Sequence, residues 1–285
     1  MEIIRPVTET DTYGRDRSML GPGLFPDRMH SPNSRAMLLE INGACVAVGT
    51  MRLPRLHDSH YEIRIASLPG EESSAAVRLL THLMSLRELD RPVMARGLMS
   101  SRQLTTMDAA GAHTIQMVPP TSVNTRQRHM LRRDPDVVAA SAVDVHALEA
   151  ALMRMYLWTH DDWARVSDEN ISLIPTTLGF PAAVDMEASS VVVCEYDGIR
   201  ALTLVFTDSE VPFLIAETTR RDSYQGERLI EGCVRRSLDI LAAQGVHEVE
   251  FDGHASDTHF FPNWMKLSPT GQWFRIVELR KVELE

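Results

Sequence analysis

The chain has 285 residues, enough for one large domain or two of ordinary size, and the composition of a globular protein. Its net charge of −10 argues against a general nucleic-acid or anionic-membrane surface, and no apolar run reaches the roughly 18 residues that span a bilayer. Lys266 and Lys281 are the only lysines, and neither sits in a motif for Schiff-base or P-loop chemistry.

The start, MEIIRPVTETD (1–11), has no signal-peptide stretch and reads as a first strand. LLEINGACVAVGTMRL (38–53) is two β-type runs joined at Asn42-Gly43, a pair suited to the positive φ angles of a tight hairpin turn. HYEIRIASL (60–68) reads as a strand, PGEES (69–73) as a loop and 74–89 as a helix with Val77, Leu80, Leu83 and Met84 on one face. PVMARGL (92–98) is the next strand, and a short helix and AHTIQMVP (112–119) follow.

The same order then begins again. After the proline-rich, basic join PPTSVNTRQRHMLRRDPD (119–136), a strand leads to Asp144 as a helix N-cap, with Leu148, Leu152 and Tyr156 at buried positions. VVVCEYDGIRALTLVF (191–206) is a second pair of β runs, joined at Asp197-Gly198. VPFLIAE (211–217), the helix within 220–245, VHEVEFDGH (246–254), a short helix and WFRIVELRKV (273–282) complete the copy. The turn glycines stand 155 positions apart (198 against 43) and the strand ends Leu98 and His254 stand 156 apart. A shared offset between two different elements points to a duplication, with a boundary expected near residue 135. Loops 14–35 and 161–188 are the irregular parts of each half. Cys45, Cys194 and Cys233 lie in apolar runs and read as reduced core thiols, so a cytoplasmic address is expected.

The helix within 220–245 opens on an exposed, glycine-containing stretch. A helix N-terminus leaves about four N–H groups unpaired and carries roughly half a positive charge, so it can seat a phosphate without a lysine. Gly226 would allow close backbone approach, Gln225 can donate an amide, and Arg220, Arg221 and Arg228 can meet phosphate charge. Equally, these arginines form a solvated face and Gly226 only shapes a turn.

This order of elements resembles the GNAT superfamily of acetyltransferases, over nearly the whole chain and in two copies. The resemblance implies an α/β (α+β) protein of two tandem GNAT-like domains, 1–134 and 135–285. Each would be a mixed, mostly antiparallel sheet flanked by helices. YQGERLI (224–230) resembles the family's pyrophosphate loop, which implies an acyl-CoA contact set of Thr218, Thr219, Tyr224, Gln225, Gly226, Glu227, Arg228, Leu229 and Asp257. Arg228 and Ile230 stand where the family places glycine or alanine. The first copy's PGEES loop is acidic and lacks glycine pairs, so that copy is expected to be a degenerate, non-binding partner.

Direct transfer of an acyl group to an amine needs a base, and Glu217, closing a strand at the cleft, is the first candidate. His254, at the end of the next strand, is the second. Each also has a plain reading, as a solvent-facing strand end and a structural histidine. Asp257 suits a helix cap as well as a cofactor contact. Trp264 stands where the family has the tyrosine that protonates the leaving thiolate, and indole has no usable proton at neutral pH. FDGHASDTHFF (251–261) matches no common zinc spacing, so no metal is expected. The resemblance implies transfer of an acetyl or other acyl group from acyl-CoA to a small-molecule amine. An aminoacyl-tRNA- or carrier-protein-dependent transferase, and a non-catalytic ligand-binding protein, remain as alternatives. No membrane partner is expected, nucleic acid enters only as tRNA in the former alternative, and a homodimer stays open.

Overall fold

A computed structural model describes residues 1–8, 34–67, 73–196, 198–219 and 223–281. Arg220, Arg221, Asp197 and most of the PGEES loop lie outside the described residues, as does most of the loop 14–35. In chain order the strands and helices are β1 (Glu2–Pro6), β2 (Ser34–Ile41), β3 (Ala44–Arg52), β4 (Tyr61–Ser67), α1 (Ser73–Ser85), β5 (Val93–Leu98), α2 (Arg102–Ala109) and β6 (His113–Val118). There follow β7 (Ser122–Asn124), β8 (Val137–Ala139), α3 (Val145–His160), α4 (Ile174–Thr177), β9 (Ser190–Cys194) and β10 (Gly198–Phe206). The chain ends with β11 (Phe213–Thr218), α5 (Ser223–Ala243), β12 (Glu248–Asp252), α6 (Phe260–Leu267) and β13 (Phe274–Leu279).

The chain forms two compact units, Met1–Ile115 with Phe274–Glu285, and Gln116–Trp273. The sequence reading puts the join near 135 and the last strand in the second half; the packing divides the chain differently. β13 pairs antiparallel along the whole of β5, from Phe274↔Leu98 to Leu279↔Val93, and buries Val277 and Leu279 in the core of the first unit. In the second unit, the position beside β12 is taken by β7, through Glu248↔Asn124 to Glu250↔Ser122. Order along a chain identifies strands but not which edge each one joins, and burial of Val277 and Leu279 decides the edge here.

The first sheet runs β1-β2-β3-β4-β5-β13-β6 and the second runs β7-β12-β11-β10-β9-β8. Both are mixed. Each contains one parallel pair, β4–β5 and β11–β12, and the other registered pairs are antiparallel. Asn42 (φ 52°) and Gly43 (φ 81°) make the tight turn that their sequence dictates. The second hairpin differs. Gly198 pairs with Cys194 and itself takes φ 66°. Glycine takes this left-handed angle without a Cβ clash.

In the first unit α1 places Leu79, Leu80 and Leu83 on the sheet, against Ile63, Ile65 and Val93. In the second unit both sheet faces are covered. Ile230, Val234, Leu238 and Leu241 of α5 pack with Leu214, Ala216 and Phe251. Leu148, Leu152 and Met155 of α3 pack on the other face with Leu202, Leu204 and Phe206. Each such side chain contributes about 1.5–3 kcal/mol on burial. Asp144 caps α3 through the N–H groups of His146 and Ala147, as expected of its position. α5 ends at Ala243, and Gly245 (φ 85°) turns the chain away.

Candidate active site

The candidate site lies in the second unit, where β11 and β12 part. β11 runs parallel to β12 from Phe213↔Glu250 to Ile215↔Asp252, while its pairing with β10 continues to Thr218. The strands therefore fork beyond Ile215. Phe213 and Ile215 face the α3 core, so alternation along the strand turns Glu217 to the same face. Glu217 is 8 % exposed. Its Oε1 accepts a long hydrogen bond, 3.4 Å, from the Thr159 hydroxyl, and its Oε2 is buried without a partner. Burial pushes this carboxyl well above the usual carboxylate range; the Asp257 charge adds to the rise, Thr159 opposes it, and Asp252 adds further. A buried carboxylate oxygen with no donor costs about 1–3 kcal/mol or more, a cost that a donor entering from outside would relieve.

The last turn of α3 supplies the surroundings. Leu148, Leu152, Tyr156 and His160 form one stripe at a spacing of four, which changes from apolar to aromatic and polar as it reaches Glu217. His160 stacks on Tyr156, with ring centroids 3.9 Å apart. Its Nδ1 lies 2.9 Å from the Tyr156 carbonyl, so Nδ1 carries a hydrogen, and 3.1 Å from the Thr159 hydroxyl. Trp163 lies 5.0 Å from the His160 ring. His254 joins the cluster edge-on, 5.3 Å from His160 and 4.5 Å from Trp163. Burial, then the charges of Glu217 and Asp252, drive the Tyr156 phenol upward, so it stays protonated. Both expected candidates thus fall in one cluster, with Glu217 reaching His254 by way of Thr159 and His160. Sequence reasoning assigned Tyr156 only to the core and missed Thr159, His160 and Trp163. The readable signal was the change of character along the stripe.

The first turns of α5 depart from the expected cradle. Gly226 is buried, and a Cβ there would lie 2.2 Å from Cδ2 of His259. The bare Cα therefore makes room for the protein's own imidazole rather than for a phosphate. Glu227, Arg228 and Leu229 lie past the first turn, where helical N–H groups are already engaged. Glu227 pairs with Lys266 at 2.9 Å, and its carbonyl accepts from Asn263. Leu229 packs beside Cys233 and Val137, and Ile230 is fully buried. Thr218 and Thr219 donate their hydroxyls to the Arg200 carbonyl. Tyr224, Gln225 and Arg228 remain exposed at the mouth of the helix, with Gln225 Oε1 accepting from Arg200 at 3.0 Å. Asp257 is a cap: its Oδ1 accepts from the N–H groups of His259 (2.7 Å) and Phe260 (3.2 Å) at the start of α6. Trp264 donates its indole N–H to the Pro120 carbonyl and stacks on Phe261, a packing role.

Among the described residues no group of three His, Cys, Asp or Glu is placed to hold a metal ion, and no helix is long and apolar enough to cross a membrane.

No family model matches the sequence, and no curated protein matches it. Solved structures do match the fold. A GCN5-related N-acetyltransferase from Sphaerobacter thermophilus is 14 % identical, with 100 % of this chain and 97 % of that one covered and a TM-score of 0.58. A tandem GNAT protein from the clavulanic acid biosynthesis pathway is 12 % identical, with 100 % of both chains covered and a TM-score of 0.58. A GNAT-family acetyltransferase from Colwellia psychrerythraea is 11 % identical, with 99 % and 100 % covered and a TM-score of 0.55. With two mixed sheets flanked by helices and full-length likeness to these structures, the chain has the tandem GNAT fold.

Proposed function

We propose that the second unit is an N-acyltransferase that moves an acetyl or other acyl group from acyl-CoA to the amine of a small molecule, with Glu217 as the base. The observation that carries this reading is the buried Glu217 carboxylate, one oxygen unpartnered, at the fork of β11 and β12. The amine nitrogen attacks the thioester carbonyl carbon; a C–N bond forms and the C–S bond breaks. The amine proton passes to Glu217, whose burial favours holding it, and Glu217 then returns that proton to the departing thiolate, so the site ends as it began. Thr159 holds the carboxylate through its hydroxyl, and the rings of Trp163, His160 and His254 pack together beside it. Tyr224, Gln225 and Arg228 are the groups available to the donor's phosphates.

The test is a melting-temperature screen across acyl-CoAs, followed by release of free CoA thiol with a panel of amines. A rise in melting temperature with at least one acyl-CoA, and thiol release abolished by Glu217→Gln, is the expected result. No shift with any acyl-CoA at millimolar concentration sinks the reading. A second reading, a non-catalytic protein that keeps the fold and binds a ligand, is favoured by His259 standing beside Gly226. It requires binding without thiol release from the unaltered chain.

A further inference from the structure

We propose that the first unit holds a second reactive centre, in which Ser59 is a nucleophile activated by His60 and oriented by Glu278, and accepts the acyl group of a small carboxylic ester. Ser59 Oγ lies 2.9 Å from His60 Nδ1, and His60 Nε2 lies 2.6 Å from Glu278 Oε2. A hydroxyl within reach of an imidazole whose other nitrogen is fixed by a third group is the arrangement that activates a weak nucleophile. The proton positions follow from the partners. An ionised carboxylate only accepts, so Nε2 donates to Glu278; in the neutral ring Nδ1 then accepts from Ser59.

The supports are in place. Glu278 alternates in β13 with Val277 and Leu279, which point into the α1 core, so its carboxyl lies on the opposite face. Its Oε1 accepts from Arg280 at 3.0 Å and has His113 Nε2 at 3.7 Å, which leaves Oε2 for His60. His60 is 8 % exposed, whereas Ser59 is half-buried and can be reached from solvent. Arg91 pins the turn before Ser59 by donating to both the carbonyl and the carboxylate of Asp58, and Tyr61 N–H donates to the Pro92 carbonyl. None of these groups belongs to the second unit.

In the reaction, Ser59 Oγ attacks the ester carbonyl carbon and its proton passes to His60 Nδ1. The bond to the alcohol oxygen breaks, and the alcohol leaves with that proton. Water repeats the cycle on the acyl-serine, releasing the carboxylic acid and restoring the hydroxyl. No reactant beyond ester and water is needed.

The full chain is treated with a fluorophosphonate probe and, separately, with p-nitrophenyl acetate, and the modified residue is mapped by peptide mass. The expected result is one adduct, on Ser59, absent in Ser59→Ala with an unchanged melting temperature. Glu278→Gln is expected to slow labelling by about 10²-fold or more, because an amide can donate to Nε2 and reverse the tautomer that lets Nδ1 accept. If Glu278→Gln does not fold, His60→Gln takes its place, with the same loss expected. A folded chain with no adduct on Ser59 overturns the proposal, as does an unchanged labelling rate in a folded Glu278→Gln or His60→Gln variant.

Discussion

The two units fork their parallel strands in the same way and put opposite charges at the fork. In the second unit, two residues past the last β11–β12 pair, stands Glu217, buried and incompletely bonded. In the first unit, two residues past the last β4–β5 pair, Glu62↔Met94, stands Arg64. Arg64 is 36 % exposed and lies 3.8 Å from Glu62, which in turn pairs with Arg52. A guanidinium cannot take a proton from an amine. Of the two forks, only that of the second unit carries a side chain that can take up a proton. The contrast teaches that the same forked architecture can present side chains of opposite chemistry at its tip.

The strongest way to break this contrast is to remove each tip in turn. Glu217→Gln should lower kcat/KM for thiol release by about 10²–10⁴-fold, the usual worth of a positioned base, while Arg64→Gln should leave it within about twofold. Equal losses would show that the units share the work.

Next in size is stability. Leu238→Ala in α5 should cost about 2–5 kcal/mol, as should Leu80→Ala in α1, since each side chain is at most 1 % exposed in its own core. Chemical denaturation checks both. Gly226→Ala should cost about 1–3 kcal/mol, because its methyl group would meet His259. A neutral Gly226→Ala with lost acyl-CoA binding would instead return Gly226 to the donor site.

The two buried carboxylates sharpen the comparison through pH. Glu217 has a raised value, so its folded form holds its proton more tightly than the unfolded chain. Its share of stability is full below the unfolded value of about 4.3 and is lost as pH rises through the folded value. For Glu278, burial pushes the value up, but the His60 and Arg280 hydrogen bonds and charges outweigh it and hold the carboxyl below its usual range. Its share is present above the unfolded value and is lost as pH falls through the folded one. Melting curves against pH should therefore respond in opposite senses to Glu217→Gln and Glu278→Gln. The smallest expected effect is Arg228→Glu, exposed and unsupported, which should raise the KM for acyl-CoA about three- to fivefold.

Local chemistry made much of this legible in the sequence. Asn42-Gly43 dictates its turn, the Leu229-to-Leu241 pattern dictates α5, and Asp144 dictates the start of α3. Glu217 was readable because a carboxylate closing an apolar strand must end at an edge of the core. Long-range choices were not readable. Nothing in WFRIVELRKV distinguishes β5 from β12 as its neighbour, and nothing around Gly226 announces His259, 33 positions on, as the side chain that uses the missing Cβ.

The most direct measurement is a ¹³C-carboxyl NMR titration of Glu217, free and with acetyl-CoA, with Glu217→Gln to assign the signal. Titration well above the usual carboxylate range, with a shift when acetyl-CoA is added, is the expected result. Titration near 4 that acetyl-CoA leaves untouched would contradict it.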